Sequence, residues 1–95
     1  MSQDIQQLKD KIIPVLKDAN VIHSAVFGSV ARGEATSDSD VDLLVELPEG
    51  KTLLDFVELK LKLEEAVGRD VDIVEPVALH PLIKERILSE QIPLL

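Results

Sequence analysis

The chain has no cysteine, which excludes disulfides and thiolate metal sites. Aromatic residues are almost absent. Two Phe stand alone, with neither Trp nor Tyr among 95 residues, so Leu, Ile and Val must fill any interior. No apolar run approaches the ~20 residues that span a bilayer, and the first residues, MSQDIQQLKDK, lack the apolar core of a secretory leader. A cytoplasmic protein without membrane attachment is therefore expected. Basic charge is also scarce. Ten Lys and Arg face eighteen Asp and Glu, a formal net charge of −8. Such a field repels a polyphosphate backbone, so direct nucleic-acid binding is not expected. The same field opposes a nucleotide unless divalent cations sit between carboxylates and phosphates.

What the chain does have is aliphatic residue in quantity. Hydrophobic residues make up 45% of it, enough for a folded chain and not a disordered one. The length suits a single domain with one core over residues 1–95. No internal repeat, low-complexity tract or linker suggests a second.

Ile5, Leu8, Ile12, Val15, Leu16 and Ala19 recur at helical spacing between Ser2 and Ala19, predicting a first helix. Pro14 falls inside it and is expected to kink the helix or divide it in two. His23 to Phe27, HSAVF, reads as a short strand ending at Gly28-Ser29, and Ser29 to Ala35 as a loop with room for one helical turn. Val41 to Leu47, VDLLVEL, is an aliphatic strand stopped by Pro48-Glu49-Gly50. Thr52 and Asp55 have capping-box spacing. Leu53, Phe56, Leu59, Leu63 and Val67 then form a helical stripe up to Gly68, read mainly as core with a fraction left for a partner interface. Val71 to Val74, VDIV, is a third strand, and Pro81 opens a last helix, LIKERILSEQ. The order is α-β-(α)-β-α-β-α, an α+β chain. His23 reads as a strand start and His80 as a helix cap, both structural.

The chemistry concentrates in two stretches. At Gly28-Ser29 a strand runs into residues that let backbone and hydroxyl approach a phosphate, although such a pair is by itself more often an ordinary turn. At Asp40 and Asp42, residues two apart on a strand project from one face. Two carboxylates so placed repel each other, and a hard divalent cation relieves the repulsion; a solvated strand end is the plainer alternative. Asp38 extends the alternation in SDSDVD, but the apolar register begins only at Val41, which leaves Asp38 to the preceding loop. Asp72 interrupts the apolar run VDIV, where a buried lone charge is costly unless paired or metal-bound. If the third strand neighbours the second, Asp72 completes a three-carboxylate cluster; a salt bridge with Arg69 or Arg86 is the other reading. Arg32 could neutralise a phosphate or pair with Glu34 on the surface.

Taken together, GSVARGEATSDSDVDLLVEL resembles the GSxxxG…SDxDL signature of the DNA polymerase β nucleotidyltransferase superfamily, and most of all its minimal nucleotidyltransferase (MNT) group. A chance match at six such positions is on the order of one in ten million per starting point, which outweighs the plainer reading of each residue alone. The resemblance extends over essentially the whole chain. It implies the nucleotidyltransferase fold, a small mixed sheet of three to four strands flanked by helices. It also implies that Gly28 and Ser29 bind the triphosphate of a nucleotide, ATP above all, that Asp40 and Asp42 hold Mg²⁺, with two ions at the site, and that Asp72 assists the acceptor. The match to the family's Arg-Gly supports Arg32 beside the nucleotide. MNT proteins pair with a helical HEPN-domain protein, so the resemblance further implies an antitoxin that adds AMP to a HEPN tyrosine. The alternatives are a non-catalytic antitoxin that acts by binding, or transfer to a small molecule or RNA.

Overall fold

Leu8, Ile12 and Leu16 repeat every four residues and are buried along one face of the first helix, α1 (Ser2–Asp18). In this computed structural model, which describes residues 2–34 and 39–95, α1 packs by that face against a later helix, α3 (Leu53–Val67), through Leu59, Leu63 and Val67. Between and after them run the strands β1 (His23–Phe27), β2 (Val41–Glu46) and β3 (Val71–Val74), and a two-residue strand β4 (Ile92–Pro93). A single helical turn, α2 (Gly28–Ala31), follows β1, and a 3₁₀ turn (Pro76–Ala78) leads into α4 (Pro81–Glu90).

The strands form one sheet in the order β3-β2-β1-β4. β1 is antiparallel to both β2 and β4, while β2 and β3, joined through α3, run parallel. The sheet is thus mixed and four-stranded, as the motif resemblance implied. Alternation sorts the side chains. Val26, Val41, Leu43, Val45 and Val71 turn toward α1 and α3 and make the main core with them. Ser24 is buried among them and is satisfied by donating its hydroxyl to the Leu44 carbonyl at 2.8 Å.

Two expectations are corrected. Pro14 does not divide α1, which is continuous from Ser2 to Asp18. Pro14 is exposed, as is Asp10 four residues before it, so the Asp10 carbonyl deprived of its helical partner lies on the solvent side while the buried face carries on through Ile12 and Leu16. Leu53 is not part of the buried stripe. It is 77% exposed and, as the first residue of α3, lines an open groove. That groove, about 430 Å³, is lined by Leu47, Phe56, Ile73, Val74 and Ala78. Among the described residues no helix is long and apolar enough to cross a membrane. Asp38, assigned to the loop before β2, lies outside the described residues.

The start of α3 follows the sequence closely. Thr52 Oγ1 accepts from the Asp55 amide at 3.3 Å, and the Asp55 carboxylate accepts from the Thr52 amide at 2.9 Å, a complete capping box. Those bonds to the ionised form hold the Asp55 carboxyl below its ordinary range. At the other end Gly68, at φ +70°, gives α3 a left-handed C-cap, and His80 Nδ1 accepts from the Leu82 amide to cap α4. Replacing Thr52 with Ala removes one donor–acceptor pair from the box. It should cost about 1 kcal/mol and lower the melting temperature by about 4–8 °C in a circular-dichroism melt, whereas Thr52→Ser should stay near the parent.

Candidate active site

The sheet register brings Phe27, Asp42 and Asp72 into one row: Phe27 pairs with Asp42 across the antiparallel ladder and Asp42 with Asp72 across the parallel one. Directly paired residues share a face of the sheet, so the two carboxylates stand side by side, on the face opposite Val41, Leu43 and Val71. Asp40 precedes β2 by one residue and is exposed. Its negative charge reaches Asp42, as does that of Asp72. All three aspartates singled out from the sequence thus gather at the start of β2 and β3.

Asp72 stands beside Asp42 as the motif implies, but not for the reason its apolar surroundings suggest. Asp72 is exposed and is not buried in an apolar strand. β3 is an edge strand, and of its four residues only Val71 is fully covered. Asp72 is accordingly solvated and reachable. Asp42 is the half-buried member of the set. Burial pushes its carboxyl above the ordinary aspartate range, and the charges of Asp72 and then Asp40 push it further; Arg32 pulls weakly the other way.

Gly28 explains how Asp42 is accommodated. Gly28 sits at φ +74°, and a Cβ added there would overlap the Asp42 carboxylate oxygen Oδ2. The first turn of α2 therefore lies directly on Asp42, and only glycine leaves room for the carboxylate while adopting that backbone angle. Ser29, half-buried, follows at once. Arg32, at the end of this turn, is committed to two carboxylates: its Nε donates to Glu34 at 2.8 Å and its Nη1 to Glu90 of α4 at 3.2 Å. The Glu34 pair was one of the two readings open from sequence. Glu90 was not foreseen, since nothing in the sequence shows that α4 returns to α2.

Neither Arg69 nor Arg86 pairs with Asp72 among the described salt bridges. Arg86 reaches Glu90 at 3.7 Å, and Arg69 donates from Nε to the Ser39 carbonyl at 2.9 Å, with Nη2 as a second donor. The donor set of Asp40, Asp42 and Asp72 suits a hard divalent cation in chemistry: oxygen ligands, like charges on Asp42 from both Asp72 and Asp40, and one carboxyl raised by burial and then by its neighbours. Among the described residues, however, no three Asp, Glu, His or Cys side chains close to the spacing of a formed metal cage. The open groove is a separate feature. It is lined toward the far end of β2 and β3, by Ile73, Val74 and Leu47.

Comparison with known proteins converges with this geometry. A signature described as nucleotidyltransferase domain matches residues 9–94. A relative from Methanocaldococcus jannaschii, named as a candidate protein adenylyltransferase, is 48% identical over 92 residues, covering 97% of this chain and 99% of its own length. A solved structure described as a candidate minimal nucleotidyltransferase superposes with a TM-score of 0.83 at 44% identity, over 96% of this chain and 93% of that one. Another, a crystal structure of a toxin-antitoxin with AMP-PNP, gives a TM-score of 0.79 at 26% identity, over 92% of this chain and 72% of that chain.

Two expectations test the arrangement on stability alone. Because the folded chain holds the Asp42 carboxyl above its unfolded range, ionised Asp42 lowers stability as pH rises through and beyond that range. In buffer without divalent ions, Asp42→Asn should therefore melt higher than the parent at pH 7, and the gain should vanish once the pH falls below the carboxylate range. Gly28→Ala should destabilise the chain, and part of that loss should disappear in an Asp42→Ala background, since the overlap is with that side chain. Denaturant titration of the four variants measures the coupling, which for contacting residues runs to about 0.5–3 kcal/mol.

Proposed function

The chain belongs to the nucleotidyltransferase domain family, as one of its minimal members, and from that premise we propose that it transfers AMP from ATP to a hydroxyl acceptor. The observation that carries the reading is the carboxylate row: Asp42 and Asp72 paired across parallel strands, with Asp40 charging the same site. Asp40, Asp42 and Asp72 would hold the divalent cations, two Mg²⁺ by resemblance, which when bound neutralise the triphosphate and acidify the acceptor hydroxyl.

This chain's own residues do the rest. Gly28, without a side chain, keeps the ground above Asp42 open, and Ser29 offers its hydroxyl and amide to the triphosphate where α2 starts. Asp72, solvated and at the sheet edge, is the group an acceptor can reach, and it takes the hydroxyl proton. The acceptor oxygen bonds to the α-phosphorus as the bond from that phosphorus to the bridging oxygen breaks, and pyrophosphate leaves in line. Arg32 joins the nucleotide by exchanging Glu34 or Glu90 for a phosphate oxygen.

ATP as donor is supported by the 26% identical toxin-antitoxin structure, which contains AMP-PNP, and a protein acceptor by the candidate adenylyltransferase at 48% identity. The MNT resemblance narrows that acceptor to a tyrosine of a HEPN-domain partner, with this chain as the antitoxin. Leu54, Val57 and Leu61, exposed along α3, provide apolar surface for such a partner. A second reading, neutralisation by binding alone, draws on that same exposed apolar face of α3.

Mass spectrometry separates the two readings. With the HEPN partner, ATP and Mg²⁺, the partner should gain the mass of one or more AMP groups, and Asp72→Asn should slow that gain by about 10²–10⁴-fold. Neutralisation of the partner with no mass gain would leave the binding-only reading standing and remove the enzymatic one.

A further inference from the structure

We propose that Arg69 and Glu64 form a positioning clamp that sets the spacing of the carboxylates, by tying the start of β2 and the start of β3 to the end of α3. The proposal rests on the reading of Asp40, Asp42 and Asp72 as the cation-holding set. Four hydrogen bonds converge on this corner. The Arg69 guanidinium donates through Nε and Nη2 to the carbonyl of Ser39, the residue just before Asp40. The Glu64 carboxylate accepts from the amide of Val71, the residue just before Asp72, at 3.0 Å. The Val41 amide, between Asp40 and Asp42, donates to the Asp70 carbonyl at 2.9 Å. Each carboxylate is thus flanked by a backbone group held from the segment 64–70, and the left-handed turn at Gly68 is what swings Arg69 back toward β2.

The clamp has a physical task. Asp72 and Asp40 both repel Asp42; Asp42 and Asp72 form the second pair of the ladder that runs from Val41↔Val71 to Leu44↔Val74. Asp40 lies outside that ladder, so its position depends on the segment leading into β2. Both Arg69 and Glu64 bind backbone through an ionised group, the stronger class of hydrogen bond. Arg69 is also partly buried, where solvent competes less. Among the described residues these hydrogen bonds run to backbone groups at Ser39 and Val71 and not to the aspartate carboxylates. Arg69 and Glu64 are positioning residues, in the way outer partners orient the first ligands of a metal site.

The experiment compares wild type, Arg69→Ala, Arg69→Lys, Glu64→Gln and the surface control Lys62→Ala, whose partner is the exposed Glu58. Mn²⁺ binding is measured by calorimetry without nucleotide, well below each melting temperature, alongside hydrogen exchange at the Val41 amide and AMP transfer. Arg69→Ala should weaken Mn²⁺ binding by about 10–100-fold, lose protection at Val41, and lower the transfer kcat more than it raises the KM for ATP. Arg69→Lys, which keeps a donor but not the fork, should recover part of each, Glu64→Gln should fall between, and Lys62→Ala should match wild type. A role confined to fold stability would lower the melting temperature and leave the Mn²⁺ affinity of the folded variants unchanged; that result overturns the clamp, as does a wild type that binds no Mn²⁺. A wild type that binds Mn²⁺ but transfers no AMP contradicts the proposed function instead, while weaker Mn²⁺ binding by Arg69→Ala would still uphold the clamp.

Discussion

The structure turns on a parallel strand pair that places like charges next to each other. Asp42 opposite Asp72 is an unfavourable cross-strand pair, and Asp40 adds a third negative charge to the same corner of a chain already at −8. A fold tuned for stability alone would put an apolar or oppositely charged pair there. The repulsion is sustained because the opposite face of the same strands is fully apolar: Val41, Leu43, Val45 and Val71 are buried against α1 and α3, and at about 1.5–3 kcal/mol for each large buried aliphatic they outweigh one poor polar pair.

The elements around the row each answer to it. α3 connects β2 to β3 in parallel and so creates the pairing. α2 begins with the glycine whose missing side chain is the space Asp42 occupies. β4 pairs with β1 on the side away from β3, leaving the Asp72 edge uncovered. α4 returns far enough for Glu90 to hold Arg32. The open groove, by contrast, is lined toward the other end of the strands.

Much of this was legible in the residues. Strand ends, the Thr52–Asp55 box, the His80 cap and the Asp40/Asp42 pair all rest on local rules, periodicity and short-range hydrogen bonding, that act over a few residues. What escaped reading depends on long-range placement. The adjacency of β2 and β3 was stated only as a condition for Asp72, and no local rule tells which strands neighbour in a sheet. The apolar run VDIV points to a buried Asp72, yet its exposure is decided by the edge position of β3. Pro14 looked like a break because local propensity weighs against it, while packing along Leu8, Ile12 and Leu16 keeps the helix whole. Glu64 and Arg69 were invisible as a pair serving the site, since their partners are backbone groups at Val71 and Ser39, and only the second lies far off in sequence.

The central claim is that the carboxylate corner is a site for nucleotide and divalent cation together. A melting curve tests it with the wild-type chain alone, because a ligand that binds only the folded state raises stability by mass action, by about 2.7 kcal/mol at one hundred times its dissociation constant. AMP-PNP with Mg²⁺ should raise the melting temperature by several degrees, while AMP-PNP without a divalent ion should leave it where it was, repelled by the three aspartates. Equal curves with and without Mg²⁺ at saturating nucleotide would contradict the account.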